Sequence, residues 1–225
     1  MYVNLNIELL KEAVIDLRYL LSRGYNRKTA VDYITSRYRL NREERAIIYR
    51  SVYSERDSKK RLNKLVKPED VIGKKLLIDG FNNIITIESA LAGRILFVCD
   101  DGVIRDASYI SKKFKFSQYT KKAIELIFGF LKQYRPFEIL FLFDQQVSFS
   151  GEMASMIREL IIKEGLHGDA KTSKKNDIEL LSMGEIIASS DSIIIEKADR
   201  VFDLAGYIIK SKFSESILDI SSFKN

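Results

Sequence analysis

Three aspartates each stand just after a short apolar run of the kind that forms a buried strand: Asp79, Asp144 and Asp191. Because the carboxyl ends of parallel strands meet at one edge of a sheet, we expect these three carboxylates to converge. For any one of them, a helix N-cap is an equally simple interpretation. Three negative charges at close range, however, repel one another unless a cation lies between them. The pattern therefore predicts a site for a hard, oxygen-seeking ion such as Mg2+ or Mn2+.

A fourth carboxylate, Asp177, opens a predicted helix after a basic loop. The helix dipole by itself favours an acidic residue in a first turn. Only one short helix and one strand separate Asp177 from Asp191, so the start of this helix can lie over the same sheet edge. Lys174 and Lys175 come directly before the helix and could hold a phosphate group as point charges, although a solvated loop explains two lysines equally well.

Other kinds of site find little support, because the chain has one cysteine, Cys99, and one histidine, His167. An internal disulfide is impossible, and Cys99 lies in an apolar run where we expect an inert thiol. A Ser–His triad or a histidine-rich zinc site could form only around His167, which we interpret as a loop residue. No run approaches the ~20 apolar residues of a membrane span, so we expect a cytoplasmic protein with no membrane partner.

The elements that must position these residues fall into two predicted domains, residues 1–68 and residues 69–225. The first contains three amphipathic helices. The third begins with a capping box, in which Asn41 is the N-cap and Glu44 bonds back to its backbone N–H. In the second, short apolar runs alternate with helical stretches, which is typical of an α/β fold with a parallel sheet covered by helices. A hairpin around Asp100-Asp101-Gly102 interrupts this alternation, and the apolar run Ala205–Ile209 completes it.

The charge of the chain is divided unevenly between these domains. The net charge of +6 is the sum of +8 in residues 1–68 and −2 in the remainder, and the first domain holds 10 of the 15 arginines and 7 of the 11 tyrosines. Guanidinium groups pair with phosphates and aromatic rings stack on unpaired bases, so this composition favours single-stranded RNA as a partner. Two alternatives remain: the tyrosines could pack in a helical core, and the basic surface could bind an acidic protein instead of RNA. The candidate nucleic-acid-binding residues of this domain are Arg27, Arg37, Arg39, Arg45 and Arg50.

The strand-end motifs also carry a resemblance to a known family. Four segments follow one another along the chain: Leu77–Asn82, Phe143-Asp144, the basic loop before Asp177, and Ser189-Ser190-Asp191. In this order they resemble the motifs of PIN-like nuclease domains, most closely of the NYN branch. The resemblance covers residues 74 to about 210. It implies a PIN-like parallel sheet of five strands in the order 3-2-1-4-5, sandwiched by helices, and an acidic divalent-metal site.

Family membership further implies ribonuclease activity by metal-assisted hydrolysis of phosphodiester bonds. Position by position, the resemblance implies metal ligands and catalytic residues at Asp79, Asp144, Asp177 and Asp191, with Asn82 and Ser190 as orienting groups. The hairpin departs from a minimal PIN-like domain, and we interpret it as an insertion in that domain. With Asp16–Leu20 and Arg42–Arg45 in its helical part, the whole chain also resembles an uncharacterised archaeal family in which a helical domain of unknown function precedes a PIN-like domain.

Two functions from different classes remain open at this point. The first is a metal-dependent ribonuclease whose basic helical domain binds the RNA, with DNA as an alternative substrate and a homodimer as an open option. The second is a catalytically inactive PIN-like module that binds RNA or regulates a partner. A haloacid-dehalogenase-type phosphatase is disfavoured, because Phe81 stands where its second aspartate is required. Rossmann-type dinucleotide binding is excluded by the absence of a glycine-rich loop after Asp79.

Overall fold

The computed structural model describes residues 5–107, 114–183, 185–213 and 217–224. The chain divides into two compact units that interleave along the sequence. The helical unit consists of Met1–Asn63, Gly93–Ala107 and Phe213–Asn225, and the α/β unit consists of Lys64–Ala92 and Ser108–Lys212. In chain order, the elements are α1 (Ile7–Ser22), α2 (Arg27–Arg37), α3 (Arg42–Ser51), α4 (Glu55–Leu62), β1 (Lys75–Asp79), α5 (Gly80–Leu91), β2 (Leu96–Val98), β3 (Ile104–Asp106), α6 (Thr120–Tyr134), β4 (Glu138–Asp144), α7 (Ser150–Lys163), β5 (Gly168–Ser173), α8 (Asn176–Met183), β6 (Ile186–Ala188), α9 (Ser192–Lys197), β7 (Val201–Phe202), α10 (Leu204–Lys212) and β8 (Ile217–Asp219).

The first four helices begin where side chains satisfy their free backbone N–H groups. The caps of α1, α2, α3 and α4 accept hydrogen bonds from the first turn of their helices, and they are Asn6, Asn26, Asn41 and Ser54. The predicted capping box of α3 is confirmed, because the Glu44 carboxylate also accepts from the Asn41 N–H at 2.8 Å. Helix α4 was not predicted, since its residues are almost all polar and its main signal is the Ser54 cap.

The predicted hairpin forms, but it belongs to the helical unit. β2 and β3 pair antiparallel, Gly102 adopts the positive φ of 78° that the tight turn requires, and β8 pairs parallel with β2. The side chains of Phe97, Cys99 and Leu218 are buried in one hydrophobic core with α1, α2 and α3. Interpreting the hairpin as an insertion in the α/β domain was therefore wrong, because its apolar face completes the core of the helices.

The α/β unit is built on a five-stranded sheet in the order β5-β4-β1-β6-β7, with every neighbouring pair parallel. The central strands are continuous apolar runs whose residues Leu76–Ile78 and Ile139–Phe143 are buried, as expected of a parallel sheet flanked by helices. Helix α5 packs against β1 and β4, α7 packs against β4 and β5, and α6 and α10 pack against α5.

The last part of the unit differs from the sequence pattern. The run Ala205–Ile209 lies in α10, and the edge strand is the two-residue β7 just before it. An apolar run of five residues fits a buried strand and a buried helix equally well, so periodicity alone could not separate them.

Candidate functional site

Three neighbouring strands of the α/β unit bring Asp79, Asp144 and Asp191 to one edge of the sheet. β4, β1 and β6 lie side by side, and all three run in the same direction. Asp79 ends β1 opposite Leu142, so Asp144 lies two residues further along β4. Asp191 follows the end of β6 by three residues. This is the edge at which open parallel sheets bind their ligands.

Asp177 is the second residue of α8, and its charge acts on the same group of carboxylates. Loss of hydration is the largest cause that raises the pKa values of Asp79 and Asp177. The charges of Asp191 and Asp177 raise the pKa of Asp79 further, and those of Asp191 and Asp144 raise the pKa of Asp177 further. The four predicted carboxylates are therefore close enough to influence one another electrostatically.

Asp79 is the most strongly perturbed of the four. Loss of hydration is the largest cause and, together with the charges of Asp191 and Asp177, it raises the pKa of Asp79 to about 7. The hydroxyl of Ser189, 2.9 Å from Asp79 Oδ2, acts in the opposite direction by donating a hydrogen bond to the carboxylate. At neutral pH Asp79 is thus poised between its neutral and charged forms, which is a property common to functional carboxylates.

Asn82 and Ser190, the predicted orienting groups, contact each other directly. The buried Asn82 side-chain oxygen accepts hydrogen bonds from the Ser190 N–H at 2.8 Å and from the Ser190 hydroxyl at 3.0 Å. These bonds join the start of α5 to the loop after β6. They hold the backbone that leads from Ala188 to Asp191, so Asn82 acts as a positioning residue.

Asn83 is a residue that the sequence did not single out. Its buried amide donates to the carbonyl oxygens of Asp79 at 2.9 Å and Ala188 at 2.8 Å, and its side-chain oxygen accepts from the Ala205 N–H at 3.2 Å. One side chain thus joins the ends of β1 and β6 to the start of α10. The available signal was a second consecutive amide directly after Asp79-Gly80-Phe81.

Gly80 allows the strand end and the helix start to pack closely. A Cβ atom at this position would lie 2.2 Å from the Phe143 ring. The glycine after Asp79 is therefore required by the aromatic side chain that precedes Asp144, and this contact holds the two strand ends together.

Two of the carboxylates also have local structural partners. Asp191 caps α9, since its Oδ1 accepts from the Ile193 N–H at 2.8 Å and the Ile194 N–H at 3.2 Å. Asp144 Oδ1 accepts from the Gln146 N–H at 2.9 Å. The N-cap interpretation is thus correct for Asp191. The cap uses only Oδ1 of this carboxylate.

The donor chemistry of this edge suits a divalent cation, because carboxylate oxygens are the ligands that Mg2+ and Mn2+ prefer. Among the residues that the structure describes, no three or more His, Cys, Asp or Glu side chains are arranged so that they could hold a metal ion as they stand. Binding a cation would thus require the aspartate side chains to turn towards a common point.

Lys174 and Lys175 lie at the same edge, directly after β5, and both side chains are exposed. β5 is the neighbour of β4, and Ser173 pairs with Asp144. The two lysines therefore flank the acidic edge on the β5 side. A further cation, Lys197, acts on Asp177 in the opposite direction to burial and the neighbouring carboxylates, and so limits the rise of its pKa.

The five predicted arginines of the helical unit differ in how far they are available to a partner. Arg37 and Arg39 are exposed. Arg45 pairs with Asp32 at 2.6 Å, and Arg50 donates to the Asp106 carbonyl oxygen at 2.5 Å. Arg27 is half-buried against the rings of two tyrosines, and its burial lowers its pKa.

The tyrosines of the helical unit divide in the same way. Tyr53 is buried, as the packing alternative expected, whereas Tyr19, Tyr25, Tyr33 and Tyr49 are each at least 45% exposed. Exposed aromatic rings beside exposed guanidinium groups are the chemistry that contacts single-stranded nucleic acid.

Asp100 and Asp101 of the hairpin are structural ion-pair partners. The fully buried Asp101 carboxylate forms a bidentate pair with Arg105, both bonds being 2.9 Å long, and it lies 3.5 Å from Arg61. Asp100 pairs with Arg18 at 2.6 Å. Cys99 beside them is buried, and burial raises the pKa of its thiol to about 12, as expected of an inert cysteine.

Comparisons with known proteins match two consecutive parts of the chain. A family model described as "Protein of unknown function (DUF434)" matches residues 9–64, and one described as "Domain of unknown function (DUF5616)" matches residues 68–207. The chain is also similar to the uncharacterized protein MJ0935 of the archaeon Methanocaldococcus jannaschii. The two are 36% identical over 208 residues, which cover 92% of this chain and 98% of the relative.

No solved structure gives a significant match to the chain. None of the helices in the described residues is both long enough and apolar enough to cross a membrane. Because the second family model covers well over half of the sequence and the archaeal relative matches almost from end to end, the chain belongs to the DUF5616 family and carries a DUF434 region before that domain.

Proposed function

We propose that the α/β unit is a divalent-metal-dependent nuclease that hydrolyses phosphodiester bonds, with RNA as its principal substrate. Asp79, Asp144, Asp177 and Asp191 would hold Mg2+ or Mn2+. When bound, the cation would lower the pKa of a water molecule and offset negative charge on the scissile phosphate.

The observation that carries this proposal is the gathering of four carboxylates at the ligand-binding edge of the sheet. Loss of hydration, and after it the repulsion between these carboxylates, raises the pKa values of Asp79 and Asp177, which is a cost to the folded protein. A function that needs this concentration of negative charge explains why the cost is tolerated, and cation binding is such a function.

The strand order supports the same proposal. Numbered only among themselves along the chain, the five strands of this sheet follow the order 3-2-1-4-5. This is the order that the resemblance to PIN-like domains implies, and it makes the three strands that end in aspartates immediate neighbours. The hydrogen bonds of Asn82 to Ser190 support the orienting role that the resemblance assigns to both residues.

The remaining residues of the edge have roles that follow from their chemistry. The Ser189 hydroxyl donates a hydrogen bond to the Asp79 carboxylate and so favours the charged form that a cation needs. Lys174 and Lys175 carry exposed ammonium groups that would attract the phosphates next to the scissile bond.

The basic helical unit would supply much of the affinity for nucleic acid. Residues 1–68, which contain the four helices of this unit, carry a net charge of +8, and the whole helical unit carries +4. This positive charge attracts a polyanion, and the attraction weakens with salt. Arg37 and Arg39 would contact phosphates, and the exposed tyrosines would stack on unpaired bases.

A cleavage assay tests the nuclease. The full chain is incubated with labelled single-stranded RNA or DNA, with Mn2+, Mg2+ or a chelator. We expect cleavage that requires the metal and is lost in Asp79→Asn and in Asp191→Asn, which retains an N-cap. Asp169→Asn is the matched control, because Asp169 lies near the opposite end of β5 and pairs with the exposed Arg158. Equal activity in all variants would overturn the assignment of the site.

The second candidate function is a binding module without turnover. The observation that favours it is that no three acidic side chains in the described part of the chain are arranged to hold a metal as they stand. RNA binding that is independent of metal, with no cleavage of varied substrates, would select this function over the nuclease.

A further inference from the structure

A row of phenylalanine rings crosses the α/β unit from its interior to its surface. Successive ring centroids are 4.9–5.7 Å apart, and most pairs meet edge to face. In order, the members are Phe143, Phe81, Phe114, Phe116 and Phe149.

The row begins beside the acidic edge. Phe143 directly precedes Asp144, and Phe81 lies two residues after Asp79. Its outer end is Phe149, in the connection that leads from Asp144 to α7. The row therefore emerges at the same edge of the sheet as the carboxylates.

The two outer rings differ from the inner ones in their access to solvent. Phe81 and Phe114 are 4% and 5% exposed, as core residues are, but Phe116 and Phe149 are 42% and 46% exposed. A single exposed phenylalanine is ordinary. Two exposed rings in contact with each other, at the edge proposed to react, form a small aromatic surface.

Phe149 is also held in an unfavourable backbone conformation. Its φ and ψ angles are 63° and 19°, in the left-handed region that bulky residues avoid at a cost of about 1–2 kcal/mol. It occupies the N-cap of α7, where its side chain cannot accept a hydrogen bond from the first turn. Asparagine tolerates this left-handed conformation better than phenylalanine does. Strain of this kind persists at functional sites, where the side chain is needed for another purpose.

We propose that Phe149 and Phe116 form a stacking platform for an unpaired base of single-stranded nucleic acid beside the acidic edge. Aromatic rings bind bases through their faces without reading sequence, while the exposed Lys174 and Lys175 at this edge attract the phosphates. The combination of ring and cation fits a nucleotide better than a purely apolar partner. The inference rests on the nucleic-acid substrate of the proposed function, and it names single strands as the preferred form at this site.

The test compares binding of three single-stranded oligomers of equal length: RNA, DNA and an abasic strand that has the phosphates but no bases. Fluorescence anisotropy is measured in chelator, so that cleavage does not interfere. We expect Phe149→Asn to bind RNA and DNA about 5- to 150-fold more weakly than the wild type, the range that corresponds to the loss of one stacked base. Binding of the abasic strand is expected to change less than twofold.

Three further variants separate stacking from structural effects. Phe149→Tyr keeps a ring and is expected to bind like the wild type, and Phe116→Ala is expected to weaken binding of the same two strands. Phe137→Ala is the matched control, because Phe137 is 66% exposed but lies before β4, at the opposite edge of the sheet. The melting temperature of Phe149→Asn should be no lower than that of the wild type, because asparagine tolerates the left-handed conformation.

The outcomes distinguish this inference from the nuclease proposal. If Phe149→Asn and Phe116→Ala bind RNA and DNA as the wild type does, there is no stacking platform, whatever the cleavage assay shows. If they lose affinity only for strands with bases and the wild type never cleaves, the platform stands and the nuclease does not. An equal loss for the abasic strand would also refute stacking, because it would indicate a contact with phosphates.

Discussion

Replacing Asp79 by asparagine should stabilise the metal-free protein at neutral and alkaline pH. Asp79 is half-buried, and burial with the neighbouring carboxylates raises its pKa from 3.8 to about 7. The folded protein therefore retains a proton that the unfolded chain releases at lower pH. The stabilisation that comes from the protonated Asp79 side chain is fully present below about pH 4 and is lost as the pH rises through about 7. Asparagine does not titrate, and its side-chain oxygen can still accept the Ser189 hydrogen bond.

The size of the effect follows from the two pKa values. The difference between 3.8 and about 7 corresponds to at most about 4 kcal/mol at alkaline pH. Between about pH 5 and about pH 8, the advantage of Asp79→Asn over the wild type should grow by about 3 kcal/mol. Urea unfolding followed by circular dichroism, in chelator at several pH values, measures this difference.

A control with the opposite sign is available in Asp169. Arg158 lowers the pKa of this exposed carboxylate, so its charged form contributes stability at neutral pH. Asp169→Asn should therefore be slightly less stable than the wild type at about pH 8, by at most about 1 kcal/mol, because solvent screens the pair. Mn2+ should stabilise the wild type and this control but not Asp79→Asn. An Asp79→Asn variant that is no more stable than the wild type at alkaline pH in chelator would refute the electrostatic reasoning.

Two further predictions concern the framework of each unit. Asp101→Asn should destabilise the helical unit by about 3–5 kcal/mol in urea unfolding, because it leaves Arg105 and Arg61 buried without their carboxylate. The control Asp32→Asn breaks a partly exposed ion pair and should cost at most about 1 kcal/mol. A small effect of Asp101→Asn would show that water reaches the two arginines. Asn83→Ala should cost about 2–3 kcal/mol, because it leaves two strand-end carbonyl groups and one N–H without their buried partner. Stability equal to that of the wild type would mean that water replaces the amide.

Much of the fold could be predicted from local signals. Strands β1 and β4 are short apolar runs, because parallel strands covered on both faces contain few polar residues. Helix α3 could be located from Asn41 and Glu44, since a capping box acts within one turn. The order of the strand-end aspartates along the chain was enough to predict that they share an edge.

Other features depended on residues far apart in the sequence. Arg50 was predicted to contact nucleic acid, yet it donates to the carbonyl oxygen of Asp106, a partner 56 positions away. An aspartate just before the glycine of a hairpin fits turn chemistry, but Asp101 is a buried ion-pair partner of Arg105 and Arg61. No local pattern distinguishes an arginine that pairs within the fold from one that is available to a ligand.

The strained residue Phe149 shows a second limit of sequence patterns. Serine is a favoured N-cap and phenylalanine is not, so local preference predicts a helix that starts near Gly151 with Ser150 as its cap. The structure begins the helix at Ser150 and leaves Phe149 at the cap position. A propensity rule fails where a residue is retained against its local preference, so such failures are useful pointers to function.

The interleaving of the two units constrains how the protein can be synthesised and dissected. The helices of the helical unit are translated first, but part of their hydrophobic core, Leu218 and Ile220, leaves the ribosome only after the whole α/β unit. At a translation rate of ~5–20 residues per second, the apolar surface of these helices stays uncovered for tens of seconds or less. Chaperones would bind this surface during that time. Cutting the gene between the two family matches would make that incomplete state permanent. Expression of residues 9–64 alone should therefore give an aggregation-prone fragment, even though they form a separate family by sequence.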